Sequence, residues 1–288
     1  MDKWDEMRTA YAVARLGTVS AAAAQLGIHR ATVARHIDAL EEALGGRLFQ
    51  RHGRGYTPTE AGEDLLRVAR ATAEQFDQLA GRTQGRAMAV SGELVVTALD
   101  IVTPLVLPAL QAFREAHPLT QVRYAASERM FKLEYGEAHV AIRAGERPGQ
   151  PDNVVRPFLV MRSGLYAHQR YIDRHGRPES PADFPRHDFI QVLRGPFSRW
   201  SEGLLPPSRV VFSSADRHAT FQALQAGMGI AFCPDFIAAR DPAMIQVYPP
   251  DPSWDIPFWL VTHVDLHWTP KVQAILKLLR AQLPEHAD

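Results

Sequence analysis

The chain has 288 residues, with 32 basic and 32 acidic side chains and 46% hydrophobic residues. That length suffices for about two domains with real cores, and the balance excludes both a disordered chain and one that holds nucleic acid by bulk charge. A single cysteine, Cys233, excludes an internal disulfide and a zinc cluster, as expected of a protein in a reducing cytoplasm. No apolar run approaches the roughly 18 residues of a membrane span, and residues 1–6 lack a secretion pattern. Only four of the 32 basic residues are lysine. Base composition produces the same skew, so the position of the arginines has to decide their meaning.

The first 60 residues read as short helices. Trp4, Met7, Tyr11 and Ala14 share one helical face ahead of Gly17. Thr18 or Ser20 caps a second, alanine-rich helix that runs to Leu26 and stops at Gly27. A third is predicted over 29–44, with Val33, Ile37, Leu40 and Leu44 as its buried stripe. Two helices joined by a tight glycine-containing turn make a helix-turn-helix. With that stripe inward, Arg30, Ala31, Ala34, Arg35 and Asp38 face outward, where such a helix meets base edges in a major groove. Residues 43–59 hold three arginines and no acid, and two short strands around His52-Gly53-Arg54-Gly55 form a basic hairpin. Phosphate contact needs only such a local excess. Together these features point to double-stranded DNA. The alternatives are an ordinary helical bundle with a basic loop, or a small-molecule-binding module whose helix-turn-helix serves assembly and not DNA reading.

Thr57-Pro58-Thr59-Glu60 has the form of a capping box with proline at the first helical position. In the long helix beyond it, Leu65, Ala69, Thr72, Phe76, Leu79 and Thr83 recur at alternating spacings of 4 and 3, a seam suited to a second copy of the chain. Gly81, Gly85 and residues 84–91 mark a hinge. From Gly92 the pattern changes. Strands are predicted over 93–97, 121–126, 139–143, 158–167, 189–193, 209–212, 230–233 and 254–263. Helices are predicted over 103–117, 128–136, 217–226 and 270–283. That order argues for parallel α/β structure, with proline-rich connections over 148–157 and 249–257.

Several stretches carry a family resemblance. Ser20-Ala21-Ala22-Ala23-Ala24-Gln25-Leu26-Gly27-Ile28, Ala31-Thr32-Val33-Ala34-Arg35-His36-Ile37, Leu40-Glu41-Glu42-Ala43-Leu44-Gly45, Arg47-Leu48-Phe49 and Thr59-Glu60-Ala61-Gly62 resemble the DNA-binding region of LysR-type transcriptional regulators. Gly92-Glu93-Leu94-Val95-Val96-Thr97, Val140-Ala141-Ile142-Arg143 and Ala226-Gly227-Met228-Gly229-Ile230 are similar to that family's effector domain. The resemblance covers essentially the whole chain. It departs from the family's pattern at His29 and Ala34, where serine is usual, and at His139, where aspartate is common. It implies a multidomain fold: an all-α winged helix-turn-helix with a long linker helix, then an α/β effector domain of two subdomains, like periplasmic binding proteins. The expected divisions are 1–59 for DNA binding, 60–89 for the linker and dimerisation helix, 92–161 with 265–288 for effector subdomain I, and 162–264 for subdomain II. The partners implied are DNA, a small-molecule effector, and the chain itself as a homodimer through the linker helix, assembling further to a homotetramer.

Facing and resemblance select Arg30, Thr32 and Arg35 for DNA contact from the recognition helix, flanked there by His29 and Ala34. Arg35 is placed to read guanine. Ser20 is a phosphate anchor, and Arg51 and Arg54 are wing contacts. In open α/β sheets ligands lie beyond the strand carboxyl ends. That rule selects Leu99, Asp100, Ile101 and Thr103, then Ser127, Arg143, Arg194 and the turn at Gly227. Arg143 or Arg194 can hold a carboxylate, so a small carboxylate or related metabolite is the expected effector. No G-x-S-x-G elbow, P-loop, G-x-G-x-x-G, H-E-x-x-H or paired-cysteine motif is present. The expectation is therefore a regulator with no catalytic residues, no metal and no cofactor.

Overall fold

A computed structural model describes residues 3–53, 55–83 and 90–283. Arg54 and most of the expected hinge, residues 84–89, lie outside the described residues, as do the side chains of Leu79 and Thr83. The chain opens with α1 (Trp4–Leu16), α2 (Val19–Leu26) and α3 (Arg30–Leu44), followed by the strands β1 (Phe49–His52) and β2 (Gly55–Pro58). The Thr18 hydroxyl caps α2 by accepting the Ala21 N–H at 3.1 Å. Gly27 takes a φ of 68°, which turns the chain sharply from α2 toward α3. Ala10, Val13, Ala22, Ala23, Val33, Ile37, Leu40, Leu48 and Phe49 form the core of this domain. Small alanines let α1 and α2 approach closely. Two expected core positions lie outside it: Trp4 and Leu44 are exposed, because the buried face of α1 runs through Thr9, Ala10 and Val13 and that of α3 through Val33, Ile37, Leu40 and Glu41.

The long helix α4 (Glu60–Thr83) begins one residue after Thr59, whose hydroxyl accepts the Gly62 N–H. Pro58 is thus not its first residue. It pairs with Phe49 as the last residue of β2. The ring of Phe76 meets that of Trp4 edge-on at 6.5 Å.

The remainder holds two five-stranded sheets. Its elements in chain order are β3 (Gly92–Ala98), α5 (Thr103–Ala116), β4 (Thr120–Ala126), β5 (Val140–Ala144), β6 (Asn153–Met161), β7 (Ser163–His168), α6 (Gln169–His175), β8 (Phe189–Val192), α7 (Gly195–Leu204), β9 (Val210–Ser214), α8 (Arg217–Gln225), β10 (Ile230–Pro234), α9 (Asp235–Ala238), β11 (Met244–Tyr248), β12 (Ile256–His263), α10 (Val264–His267) and α11 (Pro270–Ala281). The first sheet has the order β4-β3-β5-β12-β6 and the second β11-β7-β10-β8-β9. Each contains four strands that run in one direction and one that opposes them: β12 runs antiparallel to both β5 and β6, and β7 to both β10 and β11. The sheets are mixed, not parallel throughout.

Three expectations change here. The apolar stretch 158–167 is two strands, β6 and β7, one in each sheet, with Arg162 at the crossing. β12, which falls in the stretch expected for the second subdomain, belongs to the first sheet. Residues 128–136 form no α-helix beyond a single 3₁₀ turn at Leu133–Tyr135. Side chains there take the backbone donors that a helix needs: Ser127 Oγ accepts the Arg129 N–H, and the Glu137 carboxylate accepts the Lys132 N–H.

Candidate nucleic-acid interface and ligand cleft

Val33, Ile37 and Leu40 are fully buried, which turns the opposite face of α3 to solvent. Arg30 and Arg35 lie on that exposed face, with Thr32 and Ala34 half-buried at its margin. His29 is exposed and occupies the cap position of α3 but makes no side-chain cap hydrogen bond, which leaves the first N–H groups of the helix open. Ser20 is exposed in the first turn of α2. Arg30 and Arg35 thus lie together on the exposed face of α3. Asp38 does not pair with Arg35. Its carboxylate accepts from Arg51 at 2.6 Å, which leaves Arg35 with no partner among the described residues.

Glu41, which sequence reasoning passed over, organises the wing. Its carboxylate is 6% exposed and accepts from Leu48 N–H, Phe49 N–H, Arg47 and Arg51 at 2.7–3.2 Å. Burial opposes its charge. The Arg47 guanidinium and the two backbone donors outweigh that and hold its pKa below the ordinary carboxylate value. Arg51 spans Asp38 and Glu41 and lies 5.5 Å from the centroid of the Tyr56 ring. It is thus tied into the wing base. The Tyr56 N–H donates to Gly17 O at 2.8 Å, closing the hairpin against the α1–α2 corner.

Between the two sheets lies a cavity of about 280 Å³. Asp100, Ile101 and Pro104 line it from the end of β3 and the start of α5. Val192, Phe197, Arg217, His218, Thr220, Phe221, Leu224, Ala231, Phe232, Cys233, Pro234 and Ile237 line it from the second subdomain. The wall is mainly apolar, with one strong ionic bridge. Arg217, the first residue of α8, donates to Asp100 Oδ1 through Nε at 3.0 Å and Nη2 at 2.5 Å, and through Nη2 to Glu128 at 3.3 Å. A second bridge joins the subdomains where Arg240 donates to Pro104 O at 3.2 Å. The amino ends of α5 and α8 both open on this space. The Cys233 thiol is in the wall, and burial with the nearby Asp235 carboxylate pushes its pKa up to about 12, which keeps it a thiol and unreactive.

Of the expected effector residues, Asp100 and Ile101 line the cavity. The others do not. Leu99 packs into the core, and Thr103 hydrogen-bonds the Tyr124 hydroxyl at 3.0 Å. Ser127 supports its own turn, while Arg194 is exposed at the start of α7. Arg143 is half-buried and donates to Phe131 O at 3.1 Å, and burial lowers its pKa. Gly227 falls at the carboxyl end of α8 and the amino end of β10, roughly 13 Å along the helix from Arg217. Its carbonyl accepts from Arg174. The strand-end rule does not apply there, because the turn precedes its strand. The same rule applied to β9, a parallel strand, selects Arg217 and His218, which sequence reasoning passed over.

Comparison with known proteins agrees with this architecture. Residues 4–63 match the model of the bacterial regulatory helix-turn-helix proteins of the lysR family, and residues 88–284 match the LysR substrate-binding domain. The chain belongs to the LysR family of transcriptional regulators, which are DNA-binding regulators and not enzymes. It is 25% identical over 281 residues to the probable regulator LtrA of Klebsiella pneumoniae, covering 93% of this chain and 91% of that one. It is 28% identical to a transcriptional repressor of Pseudomonas aeruginosa, covering 88% and 83%. Among solved structures, ArgP from Mycobacterium tuberculosis shares the fold, with a TM-score of 0.64 at 20% identity over 96% of each chain. Full-length LysG from Corynebacterium glutamicum, solved with bound effector Arg, aligns with a TM-score of 0.63 at 17% identity over 98% of each. No helix among the described residues is long and apolar enough to cross a membrane.

Proposed function

We propose that this regulator is a cytoplasmic homo-oligomer that senses a small carboxylate with an apolar body in the cleft between its effector subdomains and changes its DNA contacts in response. The observation that carries this reading is the cross-cleft Arg217, set at the start of α8 above an apolar wall of Ile101, Phe197, Phe221 and Phe232. An incoming carboxylate takes the guanidinium from Asp100 and gains the helix amino terminus as well. The apolar body fills the cavity. On the DNA side, the recognition helix reads bases through Arg30, Thr32 and Arg35, and Ser20 and the open N–H groups at His29 hold phosphate. The linker helix pairs with that of a second copy, and two such dimers form the tetramer.

The test is fluorescence anisotropy of the purified protein with the duplex upstream of its own gene and with a scrambled duplex, each titrated at two salt concentrations. A panel of aliphatic and aromatic monocarboxylates is then added. We expect tighter binding to the native duplex, a shift in that affinity with at least one carboxylate, and no shift in Arg217→Ala. Equal binding to both duplexes, or a carboxylate response that survives Arg217→Ala, counts against the reading.

A further inference from the structure

The segment 127–137 touches both the cleft and the linker helix, and its side chains are shared between them. Glu128 faces Arg217 of the second subdomain at 3.3 Å. The next residue, Arg129, turns the other way, donates to Glu137 Oε1 at 2.9 Å and stacks over Phe131 at 5.1 Å from the ring centroid. Glu137 is 6% exposed and belongs to no helix or strand, and its second oxygen accepts the Lys132 N–H. That buried carboxylate also faces Arg67 of α4, with Nε–Oε1 at 3.4 Å. The Arg67 Nε is buried and has no hydrogen-bond partner, while Nη2 of the same guanidinium is ion-paired with Asp64 on α4. Two residues before it, Leu65 packs on the core of the DNA-binding domain. Leu133 anchors the middle of the segment among Val95, Ala138, Ala141 and Val261.

We infer that Glu128, Arg129, Glu137 and Arg67 form a relay that couples the effector cleft to the linker helix. This rests on the cleft being the sensing site, and it adds how that site reaches the DNA-binding domain. Adjacent residues of one short, pinned loop hold the two ends, so a change in the Arg217 bridge moves Glu128 and Arg129 together. Arg129 and Arg67 compete for Glu137 Oε1. When Arg129 withdraws, that oxygen is left to Arg67 Nε, the 3.4 Å ion pair closes to a hydrogen bond, and α4 is drawn toward the effector domain. When Arg129 returns, Arg67 is released. Glu137 is a positioning residue: it touches neither DNA nor effector.

Amide hydrogen exchange on the full-length protein tests the relay without an effector, so its outcome is separate from that of the carboxylate panel. Arg217→Ala removes the cleft bridge. We expect exchange in 127–137 and in the first turns of α4 to change by roughly two- to fivefold, the range of an ion pair of this exposure. In a Glu137→Gln background, Arg217→Ala should still alter 127–130 while leaving α4 as it is in Glu137→Gln alone. Arg67→Gln supplies a second background, on the α4 side, should Glu137→Gln destabilise the domain. If Arg217→Ala changes only the cleft segments, or changes α4 equally with and without Glu137, the relay is wrong.

Discussion

At the scale of single residues, the arginines of the DNA-binding domain divide by their partners. Arg35 stands exposed on α3 without a partner among the described residues, whereas Arg51 is held by Asp38 and Glu41. Arg35→Ala should therefore cost about 1–3 kcal/mol of binding to the native duplex and little on a scrambled one. Arg51→Ala should weaken both by loosening the wing, without the reduction of about one in salt slope that loss of a phosphate contact brings. Anisotropy at several salt concentrations separates the two. Glu41 offers a pH test. Its pKa is lowered in the folded protein, so its stabilisation is present above the ordinary carboxylate value of 4.5 and is lost as pH falls through the folded value. Glu41→Gln should lose about 1–3 kcal/mol at neutral pH and show a shallower fall in stability on acidification, measured by urea unfolding. The outward arginines of α3 were legible in the sequence because helical facing is local, whereas the capping box expected from Thr57 gave way to Thr59 because Pro58 is held in β2. The partners of Arg51 and the burial of Glu41 were not legible, because they depend on where the hairpin folds back.

At the scale of elements, close approach decides what each junction tolerates. Gly62, in the first turn of α4, lies against the base of the wing, and a Cβ there would meet Leu48 O at 2.0 Å. Gly62→Ala must therefore shift the helix or the hairpin. It should lower stability by about 1–3 kcal/mol and reduce the thermal midpoint of the DNA-binding domain, seen by circular dichroism. Ala–Gly swaps inside an exposed helix usually act in the opposite direction, so the sign of the change is itself the check. The strands of the effector domain were mostly readable from their apolar runs. The helix expected over 128–136 failed because Ser127 and Glu137 use their side chains as backbone acceptors, a choice that depends on Glu137 being buried. α6, α7 and β11 were overlooked: α6 and β11 are too short to show a clear period, whereas α7 does carry an apolar stripe of Phe197, Trp200 and Leu204 at helical spacing.

At the scale of the whole molecule, the exposed apolar residues on α4 bear on assembly. Val68 and Phe76 are 49% and 59% exposed, eight residues apart and on one side of the helix, and Phe76 contacts Trp4 by its edge. A partner helix covers such a seam. Phe76→Glu should shift the protein from dimer or larger to monomer at micromolar concentration, measured by light scattering on a sizing column. The DNA affinity should fall with it, because paired half-sites need paired recognition helices. An unchanged mass would assign the stripe to intrachain packing.

The amino-acid sequence by itself determined the helix-turn-helix, the wing, the long linker and the two-part α/β plan. The first three rest on periodicity, turn glycines and caps that act within a few residues along the chain, and the two-part plan on the resemblance to LysR-type regulators. The tertiary structure alone decided which residues meet. It set Arg217 against Asp100 across 117 residues of sequence, put β12 in the first sheet, tied Arg51 to α3, and moved Gly227 and Arg143 away from the cavity. Those pairings arise when two separately built sheets and a hairpin come into register. No local preference records that event, because the contacts depend on the position of elements and not on the conformation of any one of them.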